Sequence, residues 1–403
     1  MTPFSPSPAL AGWRGLLALV LVFIMLTTTG WTAERQRSAP RDFFDAESVA
    51  WRKARLDGRA LPGIDSSPAR LAAFFASLDS SRSNRLAHRF PLVVGNLNGA
   101  PIALRYRANR TAIARSLTFE VEQWKTAKLT ADGRHHNMRR IHRFQALMRP
   151  GRQILAFDPS GSGRAAEVFG SLERAERVSV IVPGVDTNLL TFQRSARKYS
   201  APVGMAQSLY AAERVASPRT RTAVIAWADY VTPVGIGMDS ATGRLAENGA
   251  LRLARLVDAL PGASEVALFC HSYGSVVCGV AARDLSPRVT DIAVAGSPGM
   301  RAGNVAELRA RARVWAMRDR DDWIEDVPHL QVGGLGHGAD PMAPEFGARV
   351  MSADGAIGHS GYFEPGTESI ANLAVIGVGS YAEVVCAHED IECGSDIFGE
   401  AAA

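Results

Sequence analysis

The chain has 403 residues, 47% hydrophobic and 21% charged, a balance that fits a globular protein with a sizeable core and excludes a disordered or fibrous one. Its formal net charge of +5 is small for this length. No basic block is interleaved with aromatic residues, so nucleic-acid binding is not expected.

The N-terminus carries the first signal. Arg14 precedes an unbroken apolar run from Leu16 to Leu26, which is followed by Thr27-Thr28-Thr29-Gly30. A basic residue, an apolar stretch and then small polar residues match an export signal. The uncharged stretch continues to Ala33, just long enough to span a bilayer if it is retained as an anchor over 15–33. Residues 1–33 are therefore read as signal peptide or membrane anchor, and the protein as secreted or tethered to the cell envelope.

Residues 34–66 read as polar, and as loosely ordered up to the short segment DFFDAESVAWRKARL at 42–56, and the stretch 34–150 as an N-terminal helical region. Ser67-Pro68 suits an N-cap followed by proline at the first helical position, with Leu71, Phe74, Phe75 and Leu78 at helical spacing after it. Ile113, Leu117, Val121 and Trp124 mark a second helix. Ile141, Phe144, Leu147 and Met148 mark another, with an Asp132-Gly133 turn expected between these two.

From about residue 151 the pattern changes to short apolar strands alternating with helices. Ile154–Phe157 comes first, then 178–182 (VSVIV), 223–227 (AVIAW), 266–270 (VALFC), 291–296 (DIAVAG) and 313–317 (RVWAM). Runs that are apolar on both faces suit a parallel sheet covered by helices on either side. Helical segments at 204–216, 245–260, 273–284, 302–312 and 367–380 fill the gaps, which predicts a doubly wound, mostly parallel α/β sheet over 151–385, followed by a tail at 386–403.

Four cysteines are present. Cys386 and Cys393 flank an acidic segment and suit a disulfide in an oxidising compartment, worth about 2.5 kcal/mol on loop entropy alone. Cys270 and Cys278 fall on a predicted strand and helix and read as small buried hydrophobes. No paired Cys/His spacing suggests a metal. The cluster of His135, His136 and His142 reads as a solvated basic helix face, and no cofactor is implied.

The strand 266–270 runs straight into His271-Ser272-Tyr273-Gly274-Ser275 and then into a helix of small residues. Strand, tight turn, serine and helix together describe a nucleophile elbow, in which the residues two before and two after the serine must be small. Gly274 meets that demand and Cys270 meets it only in part. The helix N-terminus favours negative charge developing beside Ser272.

The stretch CHSYGSVVCG resembles the GHSYGS elbow of an actinobacterial-type family of α/β-hydrolases. Residues 90–110, 180–188, 294–300, 337–350 and 358–374 are also similar to blocks of that family. The resemblance implies an α/β-hydrolase fold and the chain order Ser…Asp…His, with the acid after the next-to-last strand and the histidine after the last. His359 follows the expected last strand, 348–352, by a short glycine-containing loop and is the expected base, with His337 the alternative. His271 is expected to be structural. For the acid, Asp322 precedes Trp323 and Ile324 in the family's Asp-x-Ile pattern, and Asp319 is the alternative. The oxyanion-hole donors are expected at the backbone of Tyr273 and of Val185 in the Pro183-Gly184 turn, with Asp186 second to Val185.

Only sixteen residues separate the strands 291–296 and 313–317, too few for an inserted lid. The site is therefore expected to be open, bordered by the loop 229–243 and by the N-terminal helices. The expected chemistry is hydrolysis of an ester or thioester, with a small or lipid-like acyl substrate. The alternatives are acyl transfer on the same residues and a non-catalytic envelope binding protein on a hydrolase scaffold.

Overall fold

Eight strands form the central sheet of this computed structural model, which describes residues 43–388 together with Asp390, Cys393 and Gly394. The expected signal or anchor at 1–33 lies outside the described residues. In chain order the strands are β1 (Gln153–Asp158), β2 (Arg164–Gly170), β3 (Arg177–Val182), β4 (Thr222–Ala228), β5 (Glu265–His271), β6 (Val289–Ala295), β7 (Arg313–Met317) and β8 (Arg349–Val350). Their spatial order is β1-β2-β4-β3-β5-β6-β7-β8. From β4 to β8 every neighbouring pair is parallel, whereas β2 runs antiparallel to both β1 and β4. This is the mostly parallel, helix-covered sheet expected from the strand and helix pattern.

The strands bury both faces because alternate side chains feed two different cores. On β5, Val266, Leu268 and Cys270 join one core and Ala267 and Phe269 the other. Val314 and Ala316 of β7 likewise oppose Trp315 and Met317.

The N-terminal helices are α1 (Phe43–Lys53), α2 (Pro68–Ala76), α3 (Ser80–Arg89), α4 (Pro91–Asn96), α5 (Ile102–Thr126) and α6 (Ala131–Leu147). Ser67 caps α2 as its sequence suggests, accepting the Arg70 amide. A third core, around Trp51, Phe75 and Phe90, ties α1 to α5 together. Ile113 of α5 and Phe144 of α6 enter a core of the sheet. The later helices are α7 (Pro202–Ala216), α8 (Arg244–Asp258), α9 (Gly274–Ala281) and α10 (Glu368–Val378).

Several local expectations are corrected. The short segment at 42–56 supplies the helix 43–53, with Trp51 fully buried. Asp132-Gly133 lies in the first turn of α6, which Thr130 caps by accepting the Gly133 amide. Strand β2 stands where no strand was expected. The helix expected over 302–312 shrinks to Val305–Leu308.

Cys270 and Cys278 are bonded to each other rather than free, joining the end of β5 to α9 across a Cα separation of 6.5 Å. Their positions eight residues apart meet because the chain doubles back through the elbow. Cys386 and Cys393 form the second disulfide.

Candidate active site

The sheet topology brings the C-terminal ends of β5, β7 and β8 into a row, and each carries one of the polar groups expected from the sequence. Ser272 follows β5 with φ = 55°, a left-handed conformation that a non-glycine residue adopts only under constraint. Its amide donates to the Ala295 carbonyl at 3.1 Å, which fixes the elbow to β6. Gly274 must lack a side chain, because a Cβ there would come within 2.1 Å of the Val182 carbonyl oxygen. Gly184 is bound by the same close approach, since its Cβ would lie 2.6 Å from that of Ser272. Cys270 fits because its sulfur is bonded into α9.

His359 sits in a short 3-10 segment, Gly358–Phe363, beyond β8. Its Nε2 lies 2.8 Å from Ser272 Oγ, and its Nδ1 lies 2.8 and 3.0 Å from the two oxygens of Asp322. A proton on Nδ1 satisfies this arrangement and leaves Nε2 to accept from the serine hydroxyl. Asp322, beyond β7, is buried. Burial alone would raise its pKa, but hydrogen bonds from His359, Tyr362 and the Ile324 amide outweigh it and hold the carboxyl below its usual range.

The alternatives to this trio are engaged elsewhere. His337 Nε2 bonds the Ser240 carbonyl at 2.7 Å. Asp319 accepts the amides of Gly358 (2.7 Å) and Asp321 (3.3 Å), so its carboxylate organises the loop that bears His359.

Three further residues matter here: Tyr362 and Gly296, whose roles were not read from the sequence, and His271, which was expected to be structural. Tyr362 donates to Asp322 Oδ2 at 2.5 Å and accepts the Asp319 amide at 3.0 Å. It lies three residues after His359, and that spacing puts both on one side of a 3-10 turn. Gly296, at the end of β6, has φ = 56°, and a Cβ there would stand 2.6 Å from Asp322 Oδ2. His271 bonds the His359 carbonyl through Nε2 at 2.6 Å, which makes the histidine next to Ser272 a brace for the second imidazole. Burial, then the neighbouring His359, pushes the His271 pKa down to about 3, so the ring is a neutral donor.

The amides of Tyr273 and Val185 have no protein acceptor among the described residues, and both flank Gly184 and Ser272. Asp186, the alternative to Val185, has its amide committed to the Pro233 carbonyl at 2.9 Å. Tyr230 anchors the same turn by donating its hydroxyl to the Pro183 carbonyl at 2.5 Å.

The cavity at Ser272 is walled mainly by residues 183–205 with His271, His359 and Ser360. Neither the N-terminal helices nor the loop 229–243 lines it, contrary to expectation. That loop instead buttresses the wall from behind, through Pro233 and Gly235 against Asp186. Among the described residues no group of three or more His, Cys, Asp or Glu is placed to hold a metal ion.

Residues 158–332 match a family model described as alpha/beta hydrolase. The chain is 26% identical over 367 residues to two uncharacterised proteins from two strains of Mycobacterium tuberculosis, covering 76% of this chain and 55% of theirs. It thus spans about half the length of those relatives. Among solved structures it is similar to a serine hydrolase without lid from Xanthomonas campestris, at 14% identity and a TM-score of 0.34, over 58% of this chain and 96% of that one. It is also similar to the dienelactone hydrolase of Anabaena variabilis, at 14% identity and a TM-score of 0.32, over 55% and 93%.

Proposed function

We propose that the chain is an exported serine hydrolase that cleaves an ester or thioester through an acyl-enzyme on Ser272. The observation that carries this reading is the unbroken relay from Ser272 Oγ through His359 to buried Asp322, with both links at 2.8 Å. In the first step His359 Nε2 takes the serine proton as Oγ attacks the carbonyl carbon. The amides of Tyr273 and Val185 receive the oxyanion. The imidazolium, stabilised by Asp322, then gives its proton to the departing alcohol or thiol. Water repeats the sequence on the acyl-enzyme, and acyl transfer would differ only in the acceptor.

Export is supported by the signal-like N-terminus and by two disulfides, a pairing typical of oxidising compartments. No helix of the described residues is long and apolar enough to cross a membrane.

The test is to label the purified protein with a fluorophosphonate and assay it on short- and long-chain aryl esters. The expected result is labelling and turnover that Ser272→Ala abolishes, with a rate loss on the order of 10⁶. Labelling that persists in Ser272→Ala overturns the role of Ser272, and no labelling of the wild type overturns the hydrolase reading in favour of a binding protein.

A further inference from the structure

The cavity beside Ser272 has a volume of about 170 Å³, well below the roughly 300–1,000 Å³ of sites that enclose drug-sized ligands. It suits a short acyl or alcohol group. Its wall also carries charge. Arg194 and Arg197 both line it, and neither guanidinium reaches a carboxylate among the described residues. The carboxylate in the same wall, Asp186, is tied back to the Gly235 amide at 2.9 Å.

The segment that bears the two arginines is held in place. Phe192 is fully buried, and its carbonyl accepts the Val203 amide at 3.1 Å. Arg143 grips the carbonyls of Leu190 (2.8 Å) and Gln193 (2.5 Å), immediately before Arg194. Arg197 itself has φ = 47°, left-handed and costly for a residue with a side chain. Its carbonyl is fastened by the Ser200 amide (3.0 Å) and hydroxyl (2.8 Å). Both arginines are exposed, so the anchoring fixes the backbone they project from and leaves the guanidiniums open to a ligand at the cavity wall. Guanidiniums bind carboxylate, sulfonate and phosphate through paired charge-assisted hydrogen bonds, so two that line the cavity on an anchored backbone, without a carboxylate partner among the described residues, can receive an anion there.

We propose that this cavity selects esters or thioesters that carry an anionic group a few bonds from the scissile carbonyl, with Arg194 and Arg197 as its receptors. The proposal rests on the hydrolase reading and narrows its substrate class.

The test compares kcat/KM for two matched pairs. In the first the charge is on the acyl part: the para-nitrophenyl monoester of glutaric acid against para-nitrophenyl pentanoate. In the second it is on the leaving group: a phenyl butyrate with a para-carboxylate against the para-carboxamide. In one pair the anionic member should be favoured by about tenfold or more at low ionic strength, the work of one to two charge-assisted bonds. The preference should shrink as salt is raised to about 0.5 M. It should vanish in the double variant Arg194→Gln/Arg197→Asn, where asparagine tolerates the left-handed backbone.

Turnover with no charge preference in either pair, or a preference that survives the double variant or high salt, overturns this proposal and leaves the hydrolase reading standing. The wild-type ratios decide even if the double variant fails to fold. No turnover of any of the four esters, together with no fluorophosphonate labelling, overturns the hydrolase reading and this proposal with it.

Discussion

Tyr362 and His359 share one carboxylate: the phenol donates to Asp322 Oδ2 at 2.5 Å while the imidazole Nδ1 spans both oxygens. The phenol therefore helps to keep Asp322 ionised and aimed. Removing it with Tyr362→Phe leaves the ring packing intact and strips one charge-assisted bond from the acid. The Asp322 pKa should rise as a result. Such bonds contribute about 1.5–3 kcal/mol. We expect kcat/KM to fall by about ten- to one-hundredfold with little loss of fold, measured by steady-state kinetics beside circular dichroism. A rate within twofold of wild type would show that the phenol is packing only.

Gly296→Ala tests how tightly the acid and base are caged. The added Cβ would stand 2.6 Å from Asp322 Oδ2 and 3.1 Å from His359 Nδ1, on a backbone at φ = 56°. Left-handed alanine costs about 1–2 kcal/mol, so the protein should fold with a lowered melting temperature. Its activity should drop further than its stability, by about 100-fold, because misplacing a catalytic group by about 1 Å has that effect. A folded Gly296→Ala enzyme with near-normal kcat would mean that the relay tolerates displacement.

The candidate site was legible in the sequence where it depends on chain order and missed where it depends on folding back. Ser272, Asp322 and His359 each follow a recognisable strand, so the relay could be placed before any distance was known. The disulfide between Cys270 and Cys278 arises from the approach of a helix to its own preceding strand, which no periodicity records. Strand β2 escaped notice because RAAEVFG carries two small alanines and few β-branched residues, and its place in the sheet comes from neighbours on both edges. The supporting roles of Gly296 and Tyr362 follow from contacts between loops after different strands.

The elbow disulfide should act through stability. It closes a loop with a sequence separation of 8, for which chain entropy predicts about 2.5 kcal/mol of stabilisation. Cys278→Ala should therefore lower the free energy of unfolding by that order, read as a lower midpoint in urea. Both sulfurs belong to buried residues, so dithiothreitol should leave the folded protein unchanged and destabilise it only once it has been unfolded. Rapid loss of fold on adding reductant to native protein would contradict the burial of this bond.

His271 should make the protein sensitive to acid. Its pKa is about 3 in the folded state, against 6.5 for a free histidine, because burial disfavours the charged ring. The unfolded chain therefore takes up a proton below pH 6.5 that the folded chain refuses. Its contribution is full above pH 6.5 and is lost as pH falls from 6.5 toward 3, at about 1.4 kcal/mol per pH unit. Glu213 and Glu47 act in the opposite sense, since burial raises each to about 7 and the folded state then holds protons the unfolded chain has released above pH 4.5. Those two slopes are common to wild type and His271→Gln, so the difference between the proteins isolates the histidine. Urea unfolding at several pH values between 4 and 8 should show His271→Gln losing less stability on acidification, by about one proton's worth of slope. Parallel curves for the two proteins would show that His271 does not resist protonation in the folded state.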